Sequence, residues 1–334
     1  MGPRRYAALL ITVAVFASTA NSQWRRVDSG SLAWLHSIEF VDETTGWIGG
    51  SNGTLLHSTD GGETWRKENF PSTDNIRDIA FRGRLNGWIL CERSQYQRPK
   101  GVGRSYLMET DDGGRSWRKL EFKATNEPLT RLLLTKNGDG RVIGEGGMIS
   151  EFPARERAEK RFSLPVRYLM LDGTAFDSGG LLLVGGGGTV IASDDGGVSW
   201  QEARFIGPRP YVRLSAVSFV NENRGWVVGD DGTILRSMDA GRTWQSAVSG
   251  TSANLLDVWF NDAGVGFATG DNGIVLRSSD TGRNWTLEQS GTKHRLERFG
   301  LAGRNLFAVG FGGTIIVRDI SSGVRKGNRE VDNK

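Results

Sequence analysis

The pattern S/T-x-D-x-G-x-x-W constrains this chain more than any other feature, because it returns along most of its length. Its Trp falls at Trp65 (STDGGETW), Trp117 (TDDGGRSW), Trp200 (SDDGGVSW), Trp244 (SMDAGRTW) and Trp285 (SSDTGRNW), 52, 83, 44 and 41 residues apart. The long gap is nearly two periods, so one copy has decayed between Trp117 and Trp200. Short Ser and Asp side chains satisfy turn N–H groups, Gly accepts a positive φ, and Trp covers a sheet edge. Asp60, Asp112, Asp195, Asp239 and Asp280, with their tryptophans, are therefore read as structural turn boxes.

A β-hairpin precedes each box, two β-branched runs split by a Gly-rich turn. The first turn position falls at Gly50, Cys91, Gly144, Gly185, Gly229, Gly270 and Gly310. A further apolar strand stands before each hairpin: Leu35–Phe40, Ile76–Phe81, Leu129–Leu134, Val166–Leu171, Leu214–Phe219, Leu255–Phe260 and Leu296–Leu301. With a fourth strand after the Trp, each repeat of about 40–45 residues has the make-up of a propeller blade. The expected fold is all-β, a seven-bladed β-propeller of four-stranded antiparallel blades. The last repeat stops near Arg318 without a box, and residues 23–30 look like the missing end of a repeat. The ring is expected to be closed by this N-terminal strand.

Three segments follow: a signal peptide at 1–22, one propeller at 23–320, and a charged, disordered tail at 321–334. Arg4-Arg5 before an apolar run and small residues at Ser18, Ala20 and Ser22 mark the signal. No cysteine follows the run, which speaks against a lipid anchor. The net charge of +4 includes the two leader arginines, so the mature chain is near balance and nucleic acid is disfavoured as a partner. With Cys91 as the single cysteine, no intrachain disulfide can form. The expected setting is exported, periplasmic or secreted.

Chemistry is looked for where the repeat breaks. The insertion Cys91–Tyr106 interleaves basic and aromatic residues, and blade three replaces its box with Pro153–Phe162, a mixed-charge segment. Second-to-third-strand turns and blade connections share one end of a propeller. That end would collect Arg93, Arg98, Lys100, Arg104, Arg167, Arg209 and Arg213, with Arg131 and Arg298 on innermost strands nearer the axis. Guanidinium forks suit carboxylates, so an acidic or C-terminal-carboxylate partner fits. The alternative is a scatter of solvated charges. No catalytic residue, metal site or cofactor is expected: His36, His57 and His294 lack ligand spacing, and the DDGG runs lack the distal Glu of a calcium loop.

The repeated W-x-x-G-x-x-G-T-I-L-x-S-x-D-G-G-x-T-W resembles the photosystem II stability/assembly factor family, lumenal propellers of cyanobacteria and chloroplasts. The resemblance implies a non-enzymatic factor that holds a membrane-protein subunit or assembly intermediate through an arginine-rich face. It also implies a monomer that reaches membranes through its partner, in the thylakoid lumen if the host is phototrophic. The rival readings are an exported glycosidase of the sialidase type and a general cell-surface protein-binding propeller. A sialidase needs three arginines around a sugar carboxylate and a Tyr-Glu nucleophile pair, and Tyr168 and Tyr211 have no evident Glu partner.

Overall fold

A computed structural model describes residues 24–94, 96, 100–120, 128–134, 140–145, 148–152, 161–166 and 168–321. The expected leader, Arg98, Arg167 and the tail beyond 321 lie outside these residues. The described strands are numbered here by sheet, in chain order. Sheet one holds Leu35–Phe40, Gly46–Gly50, Leu55–Ser58 and Arg66–Lys67. Sheet two holds Asn75–Arg82, Asn86–Glu92, Ser105–Thr110 and Arg118–Leu120, and sheet three Leu129–Leu134, Gly140–Gly144, Met148–Phe152 and Arg161–Ser163. Sheet four is Met170–Ala175, Leu181–Gly185, Thr189–Ser193 and Gln201–Glu202. Sheet five is built on Leu214–Phe219, Gly225–Gly229, Ile234–Ser237 and Thr243–Ala247, and sheet six on Leu255–Phe260, Gly266–Gly270, Val275–Ser278 and Thr286–Glu288. Sheet seven joins Leu296–Ala302, Asn305–Gly310 and Ile315–Asp319 to Arg25–Val27 from the other end of the chain.

The architecture is an all-β propeller of antiparallel blades, and two expectations are corrected. Six sheets are four-stranded, but sheet five has a fifth strand, Arg204–Ile206, which runs parallel to Thr243–Ala247. The Arg204 N–H donates to Arg242 O at 2.9 Å, and Phe205 packs on the cluster between sheets four and five. A stretch read as a plain connection thus covers an outer sheet edge. The inner strand of sheet four is Met170–Ala175, not Val166–Leu171. Met170 takes the fully buried leading place, while Leu164 and Val166 pack as part of the connection.

The core lies between sheets. Each hydrophobic cluster draws on two adjacent sheets, including one that joins sheet seven to sheet one. Between sheets five and six, the rings of Trp226 and Phe260 stack with centroids 3.6 Å apart, and Trp285 meets Phe260 edge-on at 5.5 Å. The innermost strands also touch in cyclic order, with Leu296–Ala302 returning to Leu35–Phe40.

The turn boxes behave as clasps. Ser237 Oγ donates to Asp239 Oδ1 at 2.8 Å, and the N–H and Oγ1 of Thr243 donate to the same carboxylate at 2.9 and 2.7 Å. The Gly241 N–H donates to Ser237 Oγ, and Trp244 Nε1 donates to Gly241 O at 2.8 Å. Equivalent Asp-centred sets sit at Asp60, Asp112, Asp195 and Asp280. Hydrogen bonds from Ser116 and Ser199 hold Asp112 and Asp195 well below the usual carboxylate range. At Asp60, Asp239 and Asp280 burial opposes the shift, but the clasp bonds outweigh it and these also lie low. The hairpin turns have their own constraint. Gly232 has φ +66°, and a Cβ there would stand 2.0 Å from the carbonyl oxygen of Thr251 on the next connection.

Asp239→Ala removes three accepted hydrogen bonds and should cost about 1–3 kcal/mol in denaturant unfolding. Gly232→Ala meets backbone and a left-handed φ together, so it should destabilise by more than the about 1 kcal/mol typical of a solvated Gly→Ala change. Carboxylates with lowered folded pKa give stability that is complete above their unfolded value of about 4 and lost as pH falls below it. The melting temperature should therefore drop steeply below about pH 4, and less steeply in Asp239→Asn.

Candidate binding site at the axial mouth

Counted from its leading buried apolar residue (Ile76 in sheet two, where the strand itself starts at Asn75), every innermost strand carries an irregularity in pairing between the first and third residues, from Leu35/Ser37 to Leu296/Arg298. A bulge re-aims side chains, and here it turns two successive residues of each strand toward the axis. The second residues, His36, Arg77, Thr130, Leu171, Ser215, Leu256 and Glu297, all line an upper cavity of about 350 Å³. The third residues, Ser37, Asp78, Arg131, Asp172, Asp257 and Arg298, line a lower cavity of about 360 Å³ together with Glu39; only Ala216 of sheet five is absent from that set. Arg131 and Arg298 line both cavities, as floor of the one and roof of the other.

The lower layer is a ring of opposed charges. Arg131 lies 3.1 Å from Asp172 and 3.4 Å from Asp78, and Arg298 lies 3.1 Å from Asp257 and 3.9 Å from Asp172. The same carboxylates accept backbone N–H groups across sheet boundaries: Leu132 to Asp78 at 2.8 Å, Val217 to Asp172 at 3.0 Å, and Phe299 to Asp257 at 2.7 Å. Burial pushes Asp172 up, and burial with the nearby Asp172 pushes Asp257 up to about 7. Burial and the charge of Asp78 raise Glu39 to about 8. Burial acts to lower Arg131, but Asp78, Asp172 and Asp257 more than offset it, and the guanidinium stays charged.

The upper layer is more exposed, with the Arg77 and Arg295 side chains 38% and 34% accessible against 11% and 15% for Arg131 and Arg298. Glu297 accepts from Arg295 Nε at 3.1 Å and pairs with His36 Nδ1 at 2.8 Å. Burial works to raise Glu297, yet these partners hold it below its ordinary value. Arg295 also reaches Asp271 at 3.1 Å and stands 5.7 Å from the Trp34 ring. Arg77 pairs with Glu92 at 3.2 Å, and Glu92 pairs in turn with Arg104 at 2.6 Å. Four arginines, one indole and one imidazole therefore converge on a cavity open to solvent, an arrangement suited to holding a carboxylate. Among the described residues, no group of three His, Cys, Asp or Glu side chains could hold a metal ion.

The basic residues singled out from the sequence fall into several settings. Arg131 and Arg298 meet at the axis through Asp172. Arg104 joins the rim of the mouth through Glu92, whereas Arg93 is buried, donates to Gly103 O at 2.6 Å and lies 4.2 Å from the Tyr106 ring. Arg209 pairs with Glu202 at 3.1 Å beside Phe205 and Tyr211, and Arg213 and Lys100 are exposed. Sequence reasoning missed Trp34, Arg77, Asp78, Asp172, Asp257 and Glu297. The available signal was the residue two places after the leading apolar residue of each inner strand, which reads Ser, Asp, Arg, Asp, Ala, Asp, Arg once the repeats are aligned.

Comparison with known proteins gives the following similarities. The family described as Photosynthesis system II assembly factor YCF48 matches residues 16–95 and 166–238. The Photosystem II assembly lipoprotein Ycf48 of Prochlorococcus marinus (strain MIT 9312) is 39% identical over 67 residues, which span 19% of this chain and 20% of that relative. Among solved structures, YCF48 bound to D1 peptide superposes with a TM-score of 0.73 at 20% identity, covering 90% of this chain and 96% of that one. A catalytically inactive virginiamycin B lyase from Staphylococcus aureus with quinupristin shares the fold at a TM-score of 0.73 and 11% identity, covering 88% of this chain and 98% of that one. The chain is thus similar in matched segments to the photosystem II assembly factors, and it shares the propeller fold of the solved YCF48 structure.

Proposed function

We propose that this protein is a non-enzymatic, exported assembly factor that holds a membrane-protein subunit or assembly intermediate by a carboxylate-bearing segment at its axial mouth. The observation that carries this reading is the convergence of Arg77, Arg131, Arg295 and Arg298 on one solvent-open cavity. The family likeness supports it, and a relative solved with a D1 peptide supports a peptide as the class of ligand. In a phototrophic host the client would be a photosystem II subunit and the setting the thylakoid lumen. We take the scaffold as a seven-bladed ring that counts sheet five as a blade, with Arg25–Val27 closing it by pairing with Ile315–Val317.

The exposed members of the wider basic face, Lys100 and Arg213, together with Arg209, extend the contact outward in this reading. A sialidase-type glycosidase fits less well, because the described lining of the mouth contains no tyrosine to act as nucleophile. Tyr211 is exposed on the connection before sheet five.

A tagged protein incubated with membranes from its host should retain a membrane subunit. Arg77→Gln with Arg295→Gln should lose that capture by about tenfold or more in a protein shown to be folded by its cooperative melting, since hydrogen bonds to charged groups are worth about 1.5–3 kcal/mol each. Capture that survives this pair but is abolished by reversing Lys100, Arg209 and Arg213 would move the contact from the mouth to the outer face. Turnover of a fluorogenic sialoside that a carboxylate variant abolishes would replace the binding reading with the enzymatic one.

A further inference from the structure

The lower cavity holds four carboxyl groups against two arginines. Asp78, Asp172 and Asp257 share Arg131 and Arg298, and Glu39 faces the same lower cavity. Asp172 sits between the two guanidiniums at 3.1 and 3.9 Å, so Arg298 has a second carboxylate at hand if it releases Asp257. Arg298 also lies at the junction of the two cavities, where it can turn from a carboxylate below to one above.

The groups around Asp257 can be named sheet by sheet. Sheet seven supplies Arg298 at 3.1 Å and the Phe299 N–H at 2.7 Å, and its own strand supplies the Val258 N–H at 3.0 Å. Across the cavity stand Asp172 from sheet four, Arg131 from sheet three, Asp78 from sheet two and Glu39 from sheet one. Sheet five presents Ser215 to the upper cavity and Ala216 at the third place of its strand, neither of which carries charge.

We propose that a carboxylate entering the upper cavity is taken by Arg298 as Asp257 accepts one proton, so that ligand binding and protonation of the axial ring are a single coupled event. The only bond formed is O–H on Asp257. The proton comes from solvent, Arg298 keeps its charge and exchanges partners, and the negative charge brought in by the ligand is offset by the one neutralised below. The inference rests on the mouth being a carboxylate site, as proposed above, and adds its regulation. Burial and Asp172 already place Asp257 near neutrality, at about 7, so the proton is available at ordinary pH. By reciprocal linkage, whatever protonates Asp257 strengthens binding, and ligand raises the affinity of Asp257 for its proton.

The test is calorimetric titration of the full protein with an acetylated hexapeptide of uncharged residues with a free α-carboxylate, with its C-terminal amide as control. Measured near pH 8 in HEPES and in Tris, whose ionisation heats differ, the heats should report uptake of about one proton per peptide. Affinity should fall by about tenfold per pH unit above the Asp257 titration, the limit for one linked proton. In Asp257→Asn, which keeps an oxygen for the Phe299 N–H, proton uptake should vanish and affinity should stay level across the range. Peptide binding without proton uptake in the parent protein overturns the coupling while leaving the carboxylate mouth standing. An unchanged pH slope in a folded Asp257→Asn overturns it as well. Failure of the acid peptide to bind better than its amide at any pH removes the carboxylate mouth itself, and the coupling with it.

Discussion

The inner strand of a propeller blade is a sheet edge, and its outward N–H groups have no ladder partner. An unsatisfied buried N–H costs about 1–3 kcal/mol. Here the cost is met from the neighbouring sheet: Ser37 Oγ accepts the Ile79 N–H at 3.2 Å, and Asp78, Asp172 and Asp257 accept those of Leu132, Val217 and Phe299. The same three carboxylates then require cations, which Arg131 and Arg298 supply from sheets three and seven. The charged axis thus begins as an answer to a backbone problem. Its surplus of acid over base follows from using carboxylates at three places and arginines at two.

Much of the scaffold was legible because it is local. The turn boxes, the Gly-rich hairpins and the apolar inner strands each lie within one repeat, so their period exposes them. What escaped depended on partners far along the chain. Met170–Ala175 carries an Asp and a Gly, while the run just before it is more apolar, and local hydrophobicity drew the expected strand toward Val166. The parallel pairing of Arg204–Ile206 with Thr243–Ala247 has no local signal at all.

The site divides along the same line. Arg131 and Arg298 could be placed near the axis from strand order, but their carboxylate partners are spread one to a repeat and meet only when the ring is assembled. Arg93 illustrates the opposite error. Its place in a basic insertion suggested a contact surface, yet the hairpin continues through Cys91↔Tyr106 and Glu92↔Ser105, and the Arg93 side chain is drawn in over the Tyr106 ring. Composition counts charges, but burial decides which of them solvent or a partner can meet. The bulge common to all inner strands adds a further layer, because it brings the second residue of each strand to the mouth and the third to the ring beneath it. One position of each strand therefore faces the open mouth while its neighbour lies in the layer whose carboxylates bond the next sheet.

Sheet seven takes strands from both ends of the chain, Arg25 opposite Val317 and Val27 opposite Ile315. Bringing such distant segments together carries a loop-closure cost in entropy. Until Ile315–Val317 are in place, Arg25–Val27 has no ladder partner among the described strands.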